Sequence, residues 1–172
     1  FPLGTREMIE FLRGESKRGI RYVVNTHHHA DHVYGNYLFA EADIISGDKC
    51  REVMRKTGEK NLAEAKTQTP ELVEVSLRLP NIVFQDKLTL HLGDRVMRLM
   101  PLPGHTQDGI GIYVEGEKIL FSGDAVMPLP YIFWGDREVL MATLRMVKEM
   151  NLENIVQGHG EVLLKGEIDE TL

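Results

Sequence analysis

Apolar and polar positions follow two rhythms along this chain. The first is helical: Met8, Ile9 and Leu12 share one face of a helix predicted over residues 5–17, with Thr5 as its candidate cap. Ile20 to Val24 is a β-rich run and predicts a strand. Tyr34 to Ala40 predicts a short helix and Asp43 to Ser46 a second strand, after which Asp48 is placed to cap a helix to about Lys56. Residues 57–80 carry the weakest pattern. Asn61 to Lys66 is helix-prone, Pro70 interrupts it, and the stretch reads as an inert connector. From residue 82 the rhythm is that of strands: 82–84, 88–92, 96–102, 110–115 and 118–122, the last two a hairpin about Gly116. Asp136 is placed to cap a helix to about Met150 with an apolar stripe of Val139, Leu140, Leu144 and Val147, and Asn154 to Gln157 closes the pattern as a strand. Strands and helices are mixed along the chain without an internal repeat, an α/β content.

Length and charge narrow this picture. At 172 residues one domain with a sizeable core is expected. The chain opens at Phe1 and stops at Leu172 inside a polar helical stretch, so the expectation is a single domain over 1–172 that is partial at both ends. A net charge of −6 argues against a nucleic-acid partner held on a broad basic surface. No apolar run reaches the length of a membrane span, so no membrane partner is expected. The lone cysteine, Cys50, fits a reducing, cytoplasmic setting and reads as packing, because no second cysteine or nearby histidine supports it.

The chemistry concentrates in Thr26-His27-His28-His29-Ala30-Asp31-His32, where four of the seven histidines fall. Imidazole and carboxylate are ordinary ligands of zinc and related ions. If the backbone stays extended after Val24, His27 and His29 point to one side and His28 to the other. A turn at Ala30 would bring Asp31 and His32 together. Three further motifs could complete a metal site: Pro103-Gly104-His105-Thr106, Ser122-Gly123-Asp124 and Gly158-His159-Gly160. Each of these, like the histidine run, follows a predicted strand, and ligands gather at strand ends in layered α/β proteins. Glycines beside His105 and His159 allow sharp turns and close backbone approach. His28 and His91 lack such context and read as structural.

His27-x-His29-x-Asp31-His32, His105 in Pro-Gly-His-Thr, Asp124 in Phe-Ser-Gly-Asp and His159 in Gly-His-Gly together resemble the metallo-β-lactamase superfamily, in order and across residues 20–160. The resemblance implies an αβ/βα four-layer sandwich, with the N-terminal strands of the first sheet missing from this chain. It implies two divalent metal ions, zinc first, with manganese or iron as alternatives. His27, His29 and His105 would bind one ion, and Asp31, His32 and His159 the other. Asp124 would bridge them. The implied enzyme is a hydrolase in which a metal-bridging hydroxide attacks a carbonyl of an ester, thioester, lactone or lactam. Bound metal lowers the pKa of water from about 16 to about 7, which supplies hydroxide at neutral pH. Asp31 would also serve catalysis by orienting that hydroxide.

Differences within the resemblance narrow the branch. The best-known zinc β-lactamases carry cysteine at the position of Asp124 and lysine three places on, where this chain has Met127, so efficient β-lactam turnover is not expected. An aspartate at 124 resembles glyoxalase II and lactonase-type hydrolases, although Ala30 and Asp108 depart from the commoner glyoxalase II residues. His29 departs from flavodiiron proteins, which carry glutamate there, and the acidic charge departs from the RNA-processing branch. Two other classes stay open: a persulfide dioxygenase using one iron, and a metal-stabilised domain without catalysis. A small-molecule substrate is expected. Tyr34, Tyr131 and Trp134 are its candidate pocket residues, with packing over the core edge as the competing role for the 127–134 segment. A homo-oligomer is one way to cover the incomplete first sheet.

Overall fold

The computed structural model describes residues 2–15 and 19–172. Its elements in order are α1 (Pro2–Glu15), β1 (Tyr22–Val24), α2 (Ala30–Val33), β2 (Asp43–Gly47), α3 (Asp48–Gln68), β3 (Ile82–Phe84), β4 (Leu88–Leu92), β5 (Arg95–Pro101), β6 (Ile110–Glu115), β7 (Ile119–Gly123), α4 (Arg137–Glu149), β8 (Asn154–Gln157), β9 (Leu163–Leu164) and α5 (Lys165–Thr171). The chain divides into two compact units, Phe1–Val83 and Phe84–Leu172.

The first unit holds β1 and β2, neighbours in a three-stranded sheet of order β1-β2-β3. They pair in parallel, with Tyr22 opposite Asp43 and Val24 opposite Ile45. Val33, Tyr34, Cys50, Met54, Leu62, Leu72 and Val75 form its buried apolar cluster. Cys50 sits wholly buried in that cluster, with its Sγ 3.9 Å from Met54 Sδ. The predicted first helix begins earlier than expected, at Pro2, so Thr5 lies inside it rather than capping it. The part of that prediction at Ser16 and Lys17 lies outside the described residues.

Two further expectations in this unit are corrected. Asp48 is the first helical residue rather than the cap, a place taken by Gly47, and its carboxylate accepts from Lys49 N instead (2.7 Å). The helix then continues without a break to Gln68, through the stretch read as a connector. Tertiary packing carries it past Gly58, a residue that weakens helices by about 1 kcal/mol against Ala. A Cβ at Gly58 would lie 2.7 Å from Leu77 Cδ2, so the missing side chain is what admits Leu77.

The second unit is a six-stranded sheet of order β4-β5-β6-β7-β8-β9. β5, β6 and β7 are successively antiparallel, and β8 runs parallel to β7. The carboxyl ends of β5, β7 and β8 therefore share one edge of the sheet. Leu102, Leu120, Ala125, Val126, Val147, Leu152, Ile155 and Ile168 form its core. Burying each large side chain contributes about 1.5–3 kcal/mol, enough to hold the strand exits rigidly. Asp136 caps α4 as expected, its carboxylate accepting from Val139 N (2.9 Å). The buried stripe of α4 is Leu140, Thr143 and Val147, whereas Val139 is exposed. Thr143 faces inward because its hydroxyl donates to the Pro103 carbonyl (2.6 Å), which ties α4 to the segment before His105.

Candidate metal centre

In the first unit the histidine run leaves β1 through bends at 26–28 and enters α2 at Ala30. The predicted turn at Ala30 is thus the start of a short helix. His27 is buried, and its Nε2 lies 3.0 Å from His29 Nδ1. Thr26 Oγ1 lies 3.2 Å from His27 Nδ1, the ring nitrogen away from His29. The His27 and His32 rings are 4.2 Å apart between centroids, and His32 Nε2 lies 3.3 Å from Asp31 Oδ2. His28 packs edge-on to His29 with centroids 4.9 Å apart.

A pair of buried asparagines holds this run at its neck. Asn25 Nδ2 donates to Asn36 Oδ1 (3.0 Å), and Asn36 Nδ2 donates to Asn25 Oδ1 (2.9 Å). Asn25 Nδ2 also donates to the His32 carbonyl (3.2 Å), and Asn36 Nδ2 to the Arg78 carbonyl (3.1 Å). The entry and exit of the run are clasped together, with one arm on a candidate ligand's own backbone. Sequence reasoning missed both residues. The only signal was an asparagine on each side of the run, and asparagine usually marks a turn. Tyr34 is buried in the apolar cluster directly behind α2, and that burial raises its phenol pKa.

In the second unit three candidates leave the shared sheet edge: His105 after β5, Asp124 after β7 and His159 after β8. Asp124 is buried; its Oδ2 lies 3.4 Å from His105 Nε2 and 3.6 Å from His159 Nε2. His105 Nδ1 donates to the Tyr131 carbonyl, which leaves Nε2 as the nitrogen turned towards Asp124. The register of β7 against β8 shifts between Phe121 and Gly123, immediately before Asp124. Such irregularities re-aim side chains next to sites. Gly158 N donates to the Gly123 carbonyl (2.9 Å), and a Cβ at Gly158 would lie 2.0 Å from Asp124 Oδ1. Only glycine lets the bend after β8 pass this close to the carboxylate. Tyr131 and Trp134 lie on the exposed segment following Asp124, and His91 is exposed on β4.

The donor chemistry fits a metal ion. Within each unit, donor atoms stand 3.0–3.6 Å apart. Two ligands on a tetrahedral ion with bonds of about 2.0–2.1 Å would be about 3.3 Å apart. All seven residues belong to histidine and aspartate groups that could hold a metal ion.

Residues 2–159 match the model of the metallo-beta-lactamase superfamily. The chain belongs to that superfamily. It is 30% identical over 155 residues to a human protein named acyl-coenzyme A thioesterase MBLAC2, an alignment covering 77% of this chain and 54% of that one. It is 31% identical over 131 residues to the cytoplasmic isozyme of hydroxyacylglutathione hydrolase from Saccharomyces cerevisiae, covering 73% and 41%. The chain thus spans about half the length of these curated relatives, which are named hydrolases. Among solved structures it resembles the BLEG-1 B3 metallo-beta-lactamase, with a TM-score of 0.76, 20% identity, and coverage of 97% of this chain and 82% of the other. A metallo-beta-lactamase from Pontibacter korlensis gives a TM-score of 0.71 at 18% identity, covering 97% and 74%. At those identities the likeness shows the fold, and the fold is the metallo-β-lactamase one. No described helix is long and apolar enough to cross a membrane.

Proposed function

We propose that His27, His29, Asp31, His32, His105, Asp124 and His159 hold a pair of zinc ions, with Asp124 shared, in a hydrolase acting on an ester or thioester carbonyl. The observation that carries this reading is the complete donor set, in family order, inside a superfamily match over residues 2–159. Bound divalent ions supply an acidified water and an electrophile for a carbonyl oxygen. The chain's residues do the rest. His105 is oriented by the hydrogen bond that its Nδ1 donates to the Tyr131 carbonyl, so that Nε2 keeps the lone pair that would face a metal. Thr26 supports His27 in the same way. Asp31 is partly exposed and is assigned to orienting the attacking water and receiving its proton. Water adds to the carbonyl carbon, the bond to sulfur or oxygen breaks, and a carboxylic acid leaves with a thiol or alcohol.

Thioesters rank first because one relative is named an acyl-coenzyme A thioesterase. Tyr131 and Trp134 are assigned to the substrate side of the site, and Tyr34 to bracing the α2 turn that carries Asp31 and His32. The test is elemental analysis of the purified chain paired with a panel of thioesters, lactones and β-lactams. Two equivalents of zinc with thioester or ester turnover is the expected result. One iron with oxygen consumption and no hydrolysis would overturn it.

A further inference from the structure

We propose that the segment from Met127 to Gly135 receives an apolar acyl group, so that the carbonyl compound cleaved carries a hydrocarbon chain on its acyl side. This rests on the hydrolytic reading above and adds to it the chemistry of the acyl group. The segment reads Met-Pro-Leu-Pro-Tyr-Ile-Phe-Trp-Gly, with no Asp, Glu, Lys, Arg or His, in a chain that is 27% charged. Leu129, Tyr131 and Trp134 are 83%, 58% and 74% exposed, and Ile132 and Phe133 are also exposed. A contiguous apolar stretch of this kind marks a binding surface.

The segment is fastened to the His105 loop. Tyr131 accepts from His105 Nδ1 through its carbonyl, Phe133 N donates to the His105 carbonyl (3.0 Å), and Asp136 N donates to the Gly104 carbonyl (3.0 Å). A Cβ at Gly135 would lie 1.8 Å from Gly104 O, so the two backbones are in direct contact. Trp134 has φ 62°, a left-handed conformation that costs a bulky residue free energy and that clusters at ligand-binding segments. The rings form a continuous ridge. His105 and Tyr131 centroids are 6.2 Å apart, Tyr131 and Phe133 stack at 6.1 Å and 16°, and Phe133 meets Trp134 edge-on at 5.8 Å and 88°. A substrate reacting beside His105 therefore has an uncharged, apolar path leading away from its carbonyl. A polar or charged acyl group would give up its hydration there without a partner.

Trp134 is the only tryptophan, so its fluorescence reads the ridge directly. The experiment titrates the full chain with straight-chain fatty acids from butanoate to dodecanoate, each below its micelle concentration. The expected result is a saturable blue shift with affinity rising about fourfold per methylene. The double variant Leu129→Ser/Ile132→Ser keeps the reporter and should flatten that rise. Emission that dodecanoate does not move, or equal affinity for butanoate and dodecanoate, would overturn the proposal. So would a shift produced only by neutral phosphatidylcholine vesicles, or only by raising protein concentration, which would assign the ridge to a membrane surface or a second copy. The titration needs no turnover, so it can succeed where hydrolysis fails. Conversely, acyl-thioester hydrolysis at a kcat/KM independent of chain length would leave the hydrolase reading standing and sink this one.

Discussion

The two units carry their candidate ligands in opposite ways. In the first, four donors sit within six residues on one bend and one short helix, and the chain segment itself is the device. In the second, three donors are spread over 55 residues, from His105 to His159, and meet only because three strands end at one sheet edge. The first arrangement is short in sequence and needs a clasp, which the Asn25–Asn36 amide pair provides. The second is long in sequence and borrows its rigidity from the sheet and from the close pass of Gly158 along Asp124. The physical difference is where the ordering entropy is offset: by a few hydrogen bonds in one case, by a buried apolar core in the other.

The largest expected effect comes from removing a donor on the sheet side. Asp124→Ala takes away the carboxylate that both His105 and His159 face, and His105→Ala removes one of those two histidines. Each should lower kcat/KM by more than about 100-fold, beyond what losing a supporting residue costs, and reduce bound metal. Elemental analysis beside thioester kinetics checks this; unchanged metal stoichiometry in both variants would break the assignment. Gly158→Ala should come next. Its new methyl meets Asp124 Oδ1 at 2.0 Å, so the carboxylate must move although no donor is lost. Metal affinity in a chelator competition should fall about 10–100-fold.

The clasp is tested from the other side of the comparison. Asn36→Ala leaves Asn25 Oδ1 and the Arg78 carbonyl without the donor that now serves both. A buried polar group left unsatisfied costs about 1–3 kcal/mol, or roughly 3–10 °C in Tm for a chain of this size. Metal affinity should drop as well, because the His32 carbonyl loses its fixed neighbour when Asn25 is released. A Tm loss of this size with unchanged metal affinity would reduce the clasp to packing.

The same contrast explains what was legible in the sequence. The candidate ligands are visible one by one, because His, Asp and Gly in a strand-exit setting need only local identity to be noticed. Five strands of the six-stranded sheet were legible, with bounds shifted by a residue at most, but β9 (Leu163–Leu164) was not, since two residues show no period. The clasp was not, since two asparagines eleven residues apart follow no period and fill the role of turn residues equally well. Nor was the full length of α3, where Gly58 weakens local propensity and only Leu77, nineteen residues on, explains its presence. Thr143 misled the reading of α4 for a similar reason: its inward position depends on a carbonyl forty residues earlier. What escaped is what depends on distant partners.

The smallest effect concerns a surface brace of the first unit. Arg6 Nη2 and Tyr37 Oη both donate to Glu74 Oε1, at 2.8 and 3.0 Å. The Arg6 hydrogen bond first, and then that from Tyr37, holds the Glu74 carboxyl below its ordinary range. A carboxyl depressed in the folded state adds stability above its unfolded pKa and loses it as pH falls through the folded value. Arg6 and Glu74 are exposed to solvent, so the contribution is small and weakened by salt. Glu74→Gln should lower Tm by no more than about 2 °C at neutral pH and low salt. The difference should vanish at acid pH, where the parent carboxyl is itself protonated. A gap that widened on acidification would reverse the sign argued here. Tyr37 directly follows Asn36, so the same variant also asks how far the clasp depends on its surroundings. Unaltered metal affinity in Glu74→Gln, beside a loss in Asn36→Ala, would place the control of the histidine run in the buried amide pair alone.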